Sequence, residues 1–114
     1  MAGLTTHILD LTHGRPAAGV KVALYDAAGA PIVTAQTNAD GRCPQPLLAA
    51  DAMKPGRYRL DFHIGDYFRK AGVALDEPAF LDIVPIAFAI SDAAAHYHVP
   101  LLVSPYGYST YRGS

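Results

Sequence analysis

What the chain has little of narrows its class quickly. Only 17% of its 114 residues are Asp, Glu, Lys or Arg, against about 25% in an average soluble domain. There is no tryptophan, and the single cysteine, Cys43, cannot build the internal disulfide framework of a small secreted scaffold. Neither sign of charge is in excess: nine Lys and Arg meet ten Asp and Glu, for a formal net charge of -1. That balance gives no electrostatic reason to expect nucleic acid or an anionic membrane as partner. Long apolar runs are missing too. The longest, Phe80 to Ile90, contains Asp82 and Pro85 and is too short to span a bilayer. The opening Met1 to Asp10 has neither the basic region nor the apolar stretch of a signal peptide. No lipidation motif stands at either end, and a cytoplasmic location is expected.

What is present fits one domain over residues 1–114, long enough to bury roughly two-thirds of its unfolded surface around one core. A small domain has proportionally much surface, so the shortage of charge points to surface buried against another subunit. Gly and Pro together number 19 and fall at regular intervals between short β-branched runs, the pattern of an all-β sandwich. Strands are expected over 4–11, 20–26, 32–37, 57–64, 83–91, 97–104 and 106–112. The clearest, Arg57–Ile64, alternates Tyr58, Leu60, Phe62 and Ile64 inward with charged or polar residues outward. Asn38-Ala39-Asp40-Gly41 is a strong turn signal. One short helix is expected near 66–71, with Asp66 as cap, Gly72 just beyond its end and two cations in the last turn.

The last eighteen residues are chemically odd. They hold four of the seven tyrosines, and Arg112 is their only charged side chain. In the strand around His96–Ser104, Val99, Leu101 and Val103 share the core face. The other face carries His96, His98, Pro100, Leu102 and Ser104. A water-facing surface seldom holds Pro and Leu beside two histidines, so this face is expected to be covered, as in an interface or a ligand pocket. His96 and His98 lie on one face and with His7 could form a three-nitrogen zinc site; rim and hydrogen-bonding roles are the alternative. Serine-hydrolase and phosphate-loop motifs are absent. Cys43 reads as a small buried hydrophobe rather than a nucleophile, and Arg42 alone as a surface residue.

The segment His96 to Ser114, ending in Tyr111-Arg112-Gly113-Ser114, resembles the C-terminal signature of the transthyretin-like 5-hydroxyisourate hydrolases. Leu4-Thr5-Thr6-His7-Ile8-Leu9-Asp10 with Gly14-Arg15-Pro16-Ala17, then Thr37 to Arg42, then Gly65-Asp66-Tyr67-Phe68, resemble further blocks of that family in order. The stretch 71–80 is less typical. The resemblance implies a prealbumin-like two-sheet Greek-key β-sandwich of about eight strands with one short helix. It implies a homotetramer, a dimer of dimers, with sites at the dimer–dimer interface. The implied reaction is hydrolysis of 5-hydroxyisourate to 2-oxo-4-hydroxy-4-carboxy-5-ureidoimidazoline in urate breakdown, with no metal or organic cofactor. The implied catalytic set is His7, Arg42, His98 and Ser114. His7, Arg42, Tyr111, Arg112, Gly113 and Ser114 would bind substrate.

On this reading the His7/His98 pair deprotonates water, and Arg42 steadies charge developing on the carbonyl oxygen. Ser114 positions water or substrate through its hydroxyl or terminal carboxylate. Arg112 contacts substrate or braces the C-terminal strand, and which histidine is the base stays open. The competing reading is a non-catalytic transthyretin-like carrier of small ligands, because fold alone does not separate the two.

Overall fold

The computed structural model describes residues 2–114. Eight strands and one helix follow in order: β1 Gly3–Asp10, β2 Arg15–Pro16, β3 Lys21–Asp26, β4 Pro31–Gln36, β5 Gly56–His63, α1 Ile64–Lys70, β6 Ile83–Ile90, β7 His96–Ser104 and β8 Gly107–Thr110. They form two four-stranded sheets, ordered β2-β1-β7-β8 and β4-β3-β5-β6. The expected all-β two-sheet sandwich with one short α-helix is what the chain adopts. Among the described residues no helix is long and apolar enough to cross a membrane.

Each sheet turns one apolar face inward, as period-two alternation dictates. Leu4, Ile8, Leu101 and Val103 from the first sheet meet Val22, Leu24, Leu60, Phe62 and Val84 from the second, all essentially without solvent contact. The one parallel pairing among the described residues joins β1 to β7, from Gly3 opposite His96 to Asp10 opposite Val103. Parallel neighbours need a long crossover, and here that crossover is the whole of the second sheet with its helix.

Most strand ends fall within a residue of the sequence expectation, and two regions differ by more. The strand expected to run to Ile64 ends at His63, and the helix begins at Ile64 rather than after Asp66. The backbone N–H groups of Ile64 and Gly65 both donate to the carbonyl of Asp82, each at 2.9 Å. The helix is therefore capped by a residue remote in sequence. Asp66 instead lies in the first turn and pairs with Arg69 at 3.0 Å. The last strand, expected over 106–112, keeps its ladder only over Gly107–Thr110. Its register with β7 would place Tyr111 opposite Pro100, and proline has no N–H to offer a facing carbonyl.

The helix is tied to the first sheet by one buried carboxylate. Asp10, 1% exposed, accepts from the Tyr67 hydroxyl at 2.6 Å and from His13 Nδ1 at 2.5 Å. It also accepts from the backbone N–H groups of Thr12 and His13. Burial alone would raise its pKa. The hydrogen bonds from Tyr67 and His13 outweigh that and hold it below the ordinary 3.8. Burial, with the carboxylate beside it, pushes the Tyr67 phenol up to about 12.

A carboxyl depressed in the folded state stabilises fully above its unfolded pKa, and that contribution is lost as pH falls through the folded value. Urea unfolding at a series of pH values should therefore show stability dropping as pH falls below about 3.8. Asp10→Asn should flatten this acid limb and cost about 1–3 kcal/mol at pH 7, because it leaves buried donors poorly satisfied.

Candidate active site

The parallel pairing of β1 with β7 sets Thr5 beside His98 and His7 beside Pro100. Thr5, His7, His96 and His98 consequently share the outer face of the first sheet, while Leu4, Thr6, Tyr97 and Val99 point inward. Arg42 reaches this face from the far side of β1. In the Asn38–Gly41 turn, the Asn38 side chain accepts from the N–H groups of Asp40 and Arg42, and Gly41 takes φ +73°. A side chain at Gly41 would collide with the Ile8 carbonyl, so only glycine lets the turn lie this close to β1. The turn is pinned there by Ile8 N–H donating to the Gly41 carbonyl at 2.8 Å, and Arg42 pairs with the backbone of His7.

His7 Nε2 lies 2.8 Å from the carbonyl oxygen of Asp40. A carbonyl only accepts, so Nε2 carries the proton and Nδ1 of a neutral His7 holds the lone pair. His98 is half-buried, and its Nδ1 is 2.8 Å from the Thr5 hydroxyl. Burial, reinforced by the positive charge of Arg42 and by His7 and His96, lowers its pKa below the ordinary 6.5. The ring is thus neutral at pH 7, the state a proton acceptor needs.

The chain end crosses this ring. Gly113 resumes the β7 pairing beyond the Pro100 gap, its N–H donating to the His98 carbonyl at 2.7 Å. A Cβ on Gly113 would sit 2.6 Å from His98 Cδ2, closer than carbon atoms approach. Glycine is therefore the residue that lets the strand lie against the imidazole, and the exposed Ser114 follows directly. Arg112 takes the other course. Its guanidinium lies 4.0 Å over the Tyr97 ring and donates to the His96 carbonyl at 3.3 Å, contacts that tie the chain end to β7. Tyr111 is exposed and lines, with Arg112 and Tyr97, an apolar cleft of about 330 Å³ against β6.

Beside the histidines, Thr5, Thr6, Arg42, Cys43 and Gln45 line a small cleft of about 130 Å³. The roomier clefts lie elsewhere, around Arg15, Tyr67 and Lys70 and around Val33 and Leu47. The histidine face of one chain is a wall without an opposing wall. Among the described residues no group of three or more His, Cys, Asp or Glu has the geometry to hold a metal ion. Sequence reasoning did not single out Thr5. Its position two residues before His7, on the same strand face, was the available signal.

The family model described as the HIUase/Transthyretin family matches residues 4–113. The 5-hydroxyisourate hydrolase of Ralstonia nicotianae is 54% identical over the full length of both chains. Among solved structures, Klebsiella pneumoniae 5-hydroxyisourate hydrolase superposes with TM-score 0.84 at 38% identity, each chain fully covered. Transthyretin from Sparus aurata gives TM-score 0.86 at 27% identity, covering 99% of this chain and 97% of that one. An (S)-allantoin synthase gives TM-score 0.93 at 37% identity; it covers 99% of this chain, which spans only 44% of that longer one.

Titration of the ring protons by NMR should give His98 a midpoint below 6.5. In Arg42→Ala the midpoint should move up towards that value, since one of the positive charges that lower it is gone.

Proposed function

Because the chain belongs to the HIUase/Transthyretin family, we propose that it hydrolyses 5-hydroxyisourate to 2-oxo-4-hydroxy-4-carboxy-5-ureidoimidazoline. The observation that carries the mechanism is the convergence on one sheet face of a neutral, half-buried His98, a second imidazole at His7 and a guanidinium at Arg42. These are the groups that hydrolytic opening of a ring amide calls for. An apolar ligand carrier has no use for three ionisable groups on the wall of its channel, which separates this reading from transport.

Water is the nucleophile. His98 takes its proton as hydroxide adds to the ring carbonyl, and Arg42 stabilises the negative charge that develops on oxygen. The same proton then goes to the ring nitrogen as the C–N bond breaks, so the histidine ends as it began. His7, held by the Asp40 carbonyl, orients water or substrate through Nδ1. Gly113 keeps the strand against the His98 ring, and the Ser114 hydroxyl positions water or substrate beside it. Tyr111 and Arg112 are assigned to substrate contact on the family resemblance.

The active form proposed is a homotetramer, a dimer of dimers, with each site shared across the dimer–dimer interface. Support comes from the open histidine face and from the outer strands β6 and β8, whose free edges favour pairing with another strand. Ile83, Tyr106, Tyr108 and Tyr111 there are all more than 40% exposed.

Loss of the 5-hydroxyisourate absorbance, followed with freshly generated substrate, tests the reading. His98→Ala should lower turnover on the order of 10²–10⁴-fold while the fold is kept. Gly113→Ala should also cost at least about tenfold, because its methyl displaces either the ring or the strand. Sedimentation should show a tetramer for the active protein, and a fully active monomer would defeat the shared-site assignment.

A further inference from the structure

Thr5 touches both histidines of β7. Its hydroxyl oxygen lies 2.8 Å from His98 Nδ1 and 3.2 Å from His96 Nε2. We propose that Thr5 and His96 are positioning residues that lock His98 in the tautomer whose basic nitrogen is Nε2. The inference rests on the ring-opening reading above and names what makes its base competent.

Counting protons separates the two directions. A hydroxyl has one proton to donate. If Thr5 gives it to His98 Nδ1, then Nε2 must carry the ring proton and the neutral imidazole cannot accept one there. If Thr5 gives it to His96 Nε2, it can accept from His98 Nδ1–H, and His98 Nε2 is left with the lone pair. A bare nitrogen at His96 Nε2 thus fixes the direction of the whole chain.

Two features favour the second direction. The contact to His98 is the shorter of the two, as suits an N–H that becomes charge-assisted when the ring is protonated. His96 is itself half-buried rather than enclosed, so its Nδ1–H can reach water when Nε2 accepts from Thr5.

The reaction remains balanced with this support. The O–H bond of water breaks, an N–H bond forms at His98 Nε2, and the positive ring is held by its Nδ1–H on Thr5. The proton leaves Nε2 for the departing ring nitrogen. Thr5 and His96 neither gain nor lose one over the cycle.

Thr5→Val removes the hydroxyl at nearly constant shape. In the tetramer, with secondary structure checked by circular dichroism, it should lower kcat about 10–100-fold, as loss of an orienting partner typically does. KM should change less than about threefold, since Thr5 acts through His98 and not on substrate. Thr5→Ser should restore kcat to within about threefold, because the hydroxyl is what matters. His96→Gln, which keeps an acceptor, should retain more activity than His96→Phe. Independently of activity, the nitrogen-15 shifts of the wild-type protein should report the Nδ1–H form of His98, and Thr5→Val should yield a mixture of both forms.

A wild-type His98 in the Nε2–H form would overturn the proposal, as would an unchanged kcat in Thr5→Val. That result is distinguishable from failure of the functional reading, in which the wild type itself would not turn over 5-hydroxyisourate. The tautomer measurement on the wild type decides the inference even if every Thr5 variant misfolds.

Discussion

The parallel pairing of β1 with β7 is the constraint on which the rest of this molecule depends. It joins residues about ninety apart, from Gly3 with His96 to Asp10 with Val103. Closing a loop of that size costs roughly (3/2)RT ln n, about 4 kcal/mol beyond a constant. Along the inner face of the pair, Leu4, Ile8, Leu101 and Val103 are all fully buried, each worth about 1.5–3 kcal/mol. The core face thus holds the two strands in register, and the register in turn sets the outer face. Thr5 stands beside His98 and His7 beside Pro100 because Leu4 stands beside Tyr97 and Ile8 beside Leu101. A slip by one residue would turn every histidine into the core and every aliphatic side chain out to solvent.

Two backbone exceptions then complete the site. Gly41 brings the 38–41 turn against β1 so that Arg42 arrives next to His7, and Pro100 opens the β7–β8 ladder opposite Tyr111. The ladder closes again at Gly113, whose N–H meets the His98 carbonyl. The alternation of the register survives the gap. Gly113 belongs to the His98 face, and Arg112 to the opposite face, over Tyr97. Proline in a central strand is ordinarily a fault. Here the missing N–H frees Tyr111 from the ladder without losing the place of the two residues that follow it.

Much of this was legible in the residues. Period-two alternation marked strands at 20–26, 57–64 and 83–91, each within a residue of the observed ends, and the buried faces of each, because burial on one side imposes that pattern directly. The His face of β7 stood out because its side chains suit neither water nor core. The helix start was not legible. Its cap is the carbonyl of Asp82, a tertiary contact with no local trace, and a local reading naturally preferred Asp66. Nor could the residues alone place Arg112 over the Tyr97 ring. That required the register, which alternation suggests only when the strand is unbroken. Thr5 was passed over for a similar reason. A threonine in a strand is ordinary, and its position between two imidazoles exists only once β1 and β7 are paired.

The shortage of charge connects the site to the assembly. The side chains that leave the surface poor in charge include Ile83, Tyr106, Tyr108 and Tyr111, all exposed on or beside the outer strands β6 and β8. In the proposed tetramer these edges and the open histidine face are covered by other copies of the chain. Covering that face also changes its chemistry. Burial is already the largest influence lowering the pKa of His98, and an opposing wall would remove more of the water that stabilises the charged ring. The guanidinium of Arg42, screened less once water is excluded, would act more strongly on both the ring and a developing oxyanion. In the proposed assembly, subunit contact and catalysis would draw on the same desolvation. A chain with the usual complement of surface charge could remain soluble alone, but it would leave its base half in water.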